Sequence, residues 1–266
     1  MKYKLLVLDL DGTLASSDHL ILPETKDVLM KAQKAGLKVV LASGRPTPGV
    51  VPLAEELELA KYGGFILSYN GGHMMDARGD IIHEIYLKPE ESHEIYDLAK
   101  ALGANIMAYH CNDIFTEDYE KYIQMEVDIN GMDLNQVEDF KVAVVNNSMK
   151  NMMTGEPDHL AEVERVFKER LGHRYSISRS LPYFLEVMPH GINKASCLEK
   201  LLNLLGLNRA EMVACGDGYN DIKMIQLAGL GVAMENAVDD LKNVADYVTK
   251  SNDDNGIAHV IEKFIL

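Results

Sequence analysis

The sequence predicts an α/β fold: a Rossmann-like doubly wound parallel sheet core with an inserted α+β cap domain. Three observations predict it. Short apolar runs alternate with helical patterns at both ends of the chain, the middle changes to closely spaced strand-like runs, and acidic residues fall where apolar runs end.

The run at 4–10 (KLLVLDL) is continuously apolar up to its aspartate and suits a strand buried on both faces. Residues 23–35 read as a helix, with Pro23 in its first turn and Gly36 just past its end. A strand at 38–43, a helix at 47–59 and a strand at 65–70 complete β-α-β-α-β, the pattern of a parallel sheet. A hairpin is expected over 74–85, turning at Ala77-Arg78-Gly79-Asp80. From 83 to 188 the style differs. A helix at 89–102 precedes strands at 105–110, 113–117 and 141–145, and then a helix at 157–171. Strands at 174–180 and 183–189 are joined too tightly for a crossover helix, so they pair antiparallel. The alternation then resumes, with helices at 192–205, 219–228, 238–243 and 256–265 and strands at 212–217, 230–234 and 246–250. The expected organisation is a discontinuous core, 1–82 and 189–266, around a cap, 83–188.

Composition narrows the function. Lys and Arg number 26 against 41 Asp and Glu, a net charge of −15, which disfavours sequence-independent binding to nucleic acid. No apolar stretch is long enough for a membrane span, and the first apolar run carries Asp9 and Asp11, unlike a signal peptide. Cys111, Cys197 and Cys215 show neither disulfide nor zinc spacing and fit a reducing cytoplasm. Oligomeric state leaves no signature here.

In open α/β sheets, ligands lie beyond the carboxyl ends of the strands. Asp9 and Asp11 end the first strand, Ser43-Gly44-Arg45 ends the second, and Asp217 ends a later one in the string GDGYND. If these strands are parallel neighbours, Asp9, Asp11, Asp217 and Asp221 converge. Four such carboxylates repel unless a cation neutralises them, and Mg2+ suits one or two carboxylates together with a substrate phosphate. One aspartate can then attack phosphorus while a second, two residues on, serves as acid and base. Backbone amides, a hydroxyl and Lys194 can hold the phosphate oxygens. Any one of these strings alone reads as a solvated turn or a helix cap. All of them in this order, each at an element boundary, point to phosphoryl chemistry.

On these residues the sequence resembles the haloacid dehalogenase (HAD) superfamily of phosphohydrolases, and within it the Cof-type subfamily with a large, class IIB cap. The resemblance spans nearly the whole chain. It implies that Asp9 in DLDGT is the nucleophile and a metal ligand. Asp11 would be the acid/base, with its backbone carbonyl on the metal, and Leu10 would lend its amide to the phosphate. Ser43 and the Gly44 amide would bind phosphate, as would Asn220, and Lys194 would neutralise it. Asp217 would bind Mg2+, with Asp221 supporting the metal shell. The string YNGG (69–72) also fits the subfamily, whereas Lys194-Ala195 departs from its usual Lys-Gly. The implied substrate is a small phosphorylated metabolite, by default a sugar phosphate, with pyridoxal phosphate and flavin precursors as competitors. A phosphotransferase or mutase would use the same intermediate, and a non-catalytic phospho-ligand-binding module is a third reading. In the cap, the methionines at 149, 152, 153 and 188 offer an adaptable lining.

Overall fold

All four side chains of Leu5–Leu8 (β1) are apolar and fully buried, as a strand covered on both faces requires. The computed structural model describes residues 1–266. After β1 come α1 (Pro23–Lys34), β2 (Lys38–Ala42), α2 (Val51–Glu56), α3 (Leu59–Tyr62), β3 (Phe65–Ser68), β4 (His73–Asp76) and β5 (Ile81–Glu84). The chain continues through α4 (Pro89–Ala101), β6 (Asn105–His110), β7 (Asp113–Thr116), α5 (Lys121–Asn130) and β8 (Asp133–Gln136). Then follow α6 (Phe140–Ala143), β9 (Asn151–Thr154), α7 (Pro157–Leu171), β10 (Tyr175–Leu181) and β11 (Phe184–Pro189). The last stretch holds α8 (Lys194–Leu205), β12 (Met212–Gly216), α9 (Ile222–Leu227), β13 (Leu230–Ala233), α10 (Asp239–Val244), β14 (Tyr247–Val248) and α11 (Gly256–Phe264). Residues 1–46, 50–83 and 193–266 form one compact unit, and 47–49 with 84–192 the other. No helix is long and apolar enough to cross a membrane.

The first unit is built on an eight-stranded sheet of order β14-β13-β12-β1-β2-β3-β4-β5. Strands β14 through β3 are parallel, and β4 runs antiparallel to β3. Leu8 lies opposite Leu41 on one side and Cys215 on the other, so β2, β1 and β12 end at one level. Chain order reverses at β1, the switch point where ligands bind in such sheets.

The helix expected over 47–59 is instead three pieces: a 3-10 turn at Thr47–Gly49, α2 and α3. Pro48 and Pro52 explain the first break, because proline is tolerated only in a helix's first turn. Glu58, with φ of 51°, makes the second.

The second unit holds a six-stranded sheet of order β10-β11-β9-β6-β7-β8. The β10–β11 pair is antiparallel, as its tight joint predicts. One face packs a core that includes Ile95 of α4, Leu160 and Phe167 of α7, and Ile106, Met153 and Leu185 of the sheet. The strand expected at 141–145 is a correction: Phe140–Ala143 is a helical turn. The Asp139 carboxylate accepts from the amides of Lys141 (2.9 Å) and Val142 (3.1 Å), and Phe140 stacks on Tyr96. Val142 is 73% exposed, so the valines that suggest a strand do not pack as one. Three of the four methionines offered as a lining, Met152, Met153 and Met188, are buried and fill the interior.

Lys150, immediately before β9, is buried whole. Its Nζ lies 2.9 Å from Glu186 Oε1 and 3.5 Å from Glu126 Oε1, and the Tyr109 hydroxyl donates to Glu126 Oε1 at 2.8 Å. Burial pulls the lysine pKa down, but the two glutamates outweigh it and hold the value above its ordinary one. Removing the lysine alone leaves two buried carboxylates without their cation. Lys150→Met is therefore expected to cost about 3–5 kcal/mol in urea unfolding, the penalty of breaking a buried ion pair from one side. A cost under about 1 kcal/mol would mean that these carboxylates have another way to be neutralised.

Candidate active site

The site starts where β1 stops. The Asp9 amide donates to Cys215 O (3.1 Å), and Asp9 O accepts from the Leu14 amide (3.2 Å), which turns the chain back directly after the strand. The turn needs glycine at position 12 on two counts. Its φ is +78°, and a Cβ there would run into the Asp217 carboxylate, 2.8 Å from its Cγ. Thr13 Oγ1 donates to Asp217 Oδ1 at 2.7 Å, and Asn236 Nδ2 donates to Gly12 O at 2.8 Å.

Lys194 opens α8, whose first turn is capped by Asn193 accepting from the Ser196 amide (2.9 Å). With its side chain 0% exposed, its Nζ donates to Asp9 Oδ1 and, at 2.7 Å, to Asp221 Oδ1. The other Asp221 oxygen accepts from the amides of Asp217 (3.1 Å) and Gly218 (3.0 Å). Asp221 thus fixes both the lysine and the loop that presents Asp217.

Beyond β2, Ser43 is buried and its Oγ accepts from the Arg45 amide at 3.0 Å. Ser43 O accepts from the amide of Asn70, a non-glycine residue at φ of 54°. The Asn70 side chain sits against Gly44, where a Cβ would lie 3.1 Å from its Nδ2. Its Oδ1 accepts from Asn220 Nδ2 at 3.0 Å. Leu10 buries its side chain in the core, so only its backbone is available to a ligand. Asp11 stands apart from the buried carboxylates and pairs with the Arg45 guanidinium.

Asp9, Asp217 and Asp221 each offer a carboxylate oxygen, all within 4.8 Å of one another. Burial first, and then the negative charge of Asp221, raises the Asp9 pKa well above the ordinary carboxylate value, although Lys194 opposes both. Burial likewise pushes Asp217 up to about 6, against the Thr13 hydrogen bond. Burial alone would lower the Lys194 pKa, but Asp9 and Asp221 raise it. Three carboxylates face one ammonium, so the cluster carries negative charge beyond what its lysine neutralises. An all-oxygen donor set with that excess fits a hard divalent cation such as Mg2+.

The residues read from the sequence fall into two hydrogen-bonded sets in the first unit: Asp9, Lys194, Asp217 and Asp221 in one, and Asp11, Ser43 and Asn220 in the other through Arg45 and Asn70, so the expected convergence of Asp11 with the other three carboxylates is corrected. Four participants escaped that reading. Thr13 and Asn70 lie inside the strings DLDGT and YNGG, and Arg45 follows Ser43-Gly44, so each had a signal in the sequence. Asn236 had none.

The carboxylate–lysine cluster lies at the switch point of a doubly wound sheet, where proteins of this class bind their ligands. The chain belongs to the haloacid dehalogenase-like hydrolases, whose family model matches residues 6–261, and it is a phosphatase of that family. It is 31% identical to the 5-amino-6-(5-phospho-D-ribitylamino)uracil phosphatase YcsE of Bacillus subtilis, over 99% of this chain and 96% of that one. A haloacid dehalogenase-like hydrolase from Bacteroides thetaiotaomicron superposes with a TM-score of 0.95 at 42% identity, over 99% of this chain and 100% of that one. The subclass IIB sugar phosphatase BT4131 superposes with a TM-score of 0.82 at 26% identity, over 98% of each chain.

A cation held by these carboxylates binds only the folded chain. MgCl2 is expected to raise the melting temperature, by the equivalent of about 2.7 kcal/mol at a hundred times its Kd, with EDTA reversing the gain. Gly12→Ala forces Asp217 aside and is expected to abolish that gain. A full Mg2+ shift in Gly12→Ala, or none in the wild type, would contradict the fit.

Proposed function

We propose that this protein is a magnesium-dependent phosphomonoesterase for a small phosphorylated metabolite, a sugar phosphate in class, acting through an aspartyl phosphate on Asp9. The observation that carries the reading is the buried contact of Lys194 with Asp9 and Asp221 at the end of β1. A carboxylate kept from water, beside an ammonium that can draw in phosphate oxygens, is an arrangement suited to nucleophilic attack on phosphorus.

Each residue then has a task. Lys194, the Ser43 hydroxyl, the Asn220 side chain and the amides of Leu10 and Gly44 hold the phosphoryl oxygens. An Asp9 oxygen attacks phosphorus as the bond to the leaving oxygen breaks, and Asp11 gives that oxygen a proton. Asp11 then takes a proton from water, the water oxygen attacks phosphorus, and the bond to Asp9 breaks to release inorganic phosphate. Asp9 and Asp217 would hold Mg2+ directly, with Asp221 placing the Asp217 loop through its two amide contacts. When bound, the ion supplies positive charge to the phosphoryl oxygens.

The substrate class draws its support from two similar proteins, one named a sugar phosphatase and the other a phosphatase of a ribityl phosphate. Both names describe a phosphate on a small polyhydroxylated carbon chain. The three cysteines are unpaired, which supports a reducing, cytoplasmic setting.

Phosphate released from a panel of sugar and ribityl phosphates, with MgCl2 and with EDTA, tests the reading. Release is expected from a narrow subset, only with Mg2+, and not from Asp9→Asn. Turnover by Asp9→Asn at the wild-type rate would remove the covalent intermediate from the mechanism.

A further inference from the structure

Asp11 is the one carboxylate of the proposed reaction that the buried cluster does not hold. Its side chain is 49% exposed, and a short side chain on a solvent-facing turn has several staggered rotamers open to it. A proton donor free to wander forfeits the rate gained from correct placement.

What restrains it is Arg45. The guanidinium, 17% exposed, donates from Nε to Asp11 Oδ2 at 2.8 Å and from Nη2 to Oδ1. This two-pronged pairing fixes the plane of the carboxylate as well as its position. His19 Nδ1, at 3.8 Å from Oδ1, is too far for a hydrogen bond. The arginine is itself anchored at both backbone polar groups: its amide donates to Ser43 Oγ (3.0 Å), and its carbonyl accepts from the Tyr69 amide (2.9 Å). One rigid loop thus carries the phosphate-binding Ser43 and Gly44 and also the clamp on Asp11.

We propose that Arg45 is a positioning residue that aims Asp11 at the leaving oxygen; the inference rests on the phosphatase reading above. In the first half-reaction one prong opens. The freed Asp11 oxygen, protonated from solvent or by the attacking water of the previous turnover, passes that proton to the leaving oxygen as that oxygen takes the electron pair of the breaking P–O bond. The other oxygen stays on Arg45, and the carboxylate produced closes back into the two-pronged pair. Arg45 therefore acts most where the leaving group needs a proton.

Leaving-group dependence separates this role from a structural one. The quantity to compare is kcat/KM, which covers only steps through the first irreversible transfer, for a sugar phosphate and for p-nitrophenyl phosphate. A sugar alkoxide must be protonated to depart, whereas p-nitrophenolate departs without a proton. Arg45→Ala is expected to lower kcat/KM about 10- to 100-fold for the sugar phosphate, part of the roughly 10²–10⁴-fold that acid–base catalysis supplies. For p-nitrophenyl phosphate the loss is expected to stay under about threefold, since little acid catalysis is at stake. Arg45→Lys keeps the charge but not the fork, so it should show the same pattern to a smaller degree, and it carries the comparison if Arg45→Ala does not fold. Equal losses on both substrates would overturn the inference and make Arg45 a phosphate ligand or a structural residue. A wild-type enzyme that cleaves neither p-nitrophenyl phosphate nor any sugar or ribityl phosphate of the panel would overturn the phosphatase reading itself, and the clamp with it.

Discussion

One ammonium group organises this protein's chemistry. Lys194 sits at the start of α8, distant in sequence from both Asp9 and Asp221, and it reaches them with no solvent around it. Without that cation, two buried carboxylates would face each other across a low-dielectric space and would be driven to protonate. The lysine thus permits a carboxylate to be buried and still carry charge. It ties the end of β1, which carries Asp9, to the loop ahead of α9, which carries Asp217 and Asp221.

The remaining contacts extend from this pair. Asp221 spends one oxygen on the lysine and the other on two amides, which converts a flexible glycine-containing turn into a fixed mount for Asp217. Thr13 and the absent side chain at Gly12 shape the opposite wall. On the far side of β1, Asn70 adopts a left-handed backbone to reach both Asn220 and the Ser43–Gly44 segment. Backbone strain of that kind persists only where the surroundings enforce it, here through at least two hydrogen bonds.

Much of this was legible in the sequence because strand ends and chemistry coincide. Apolar runs that stop at Asp9, at Ser43 and at Asp217 mark both the sheet and the end where the candidate site lies, and the family match bears out the fold and the phosphatase class. What was not legible depends on partners far along the chain. Nothing local announces that Lys150 is buried, since its burial is made tolerable by Glu126 and Glu186. The Arg45–Asp11 pairing likewise exists only once two strands lie side by side. The residues at 141–145 misled because valines favour strands, whereas a single cap from Asp139 and one anchored phenylalanine sufficed to make a helical turn.

The sheet order has a consequence for how the chain comes to be folded at all. β1 is hydrogen-bonded to β2, which follows it closely, and to β12, which the chain reaches only after the whole of the second unit. During synthesis the most apolar strand of the molecule therefore waits with one edge unpaired while a separate unit is being made. Parallel pairings of such long sequence separation close slowly, because the intervening loop entropy must be overcome first. An open apolar edge of that kind is also a template for pairing with another chain. For this architecture, the strand whose end carries Asp9 is also the one whose edge is most exposed to aggregation in the nascent protein.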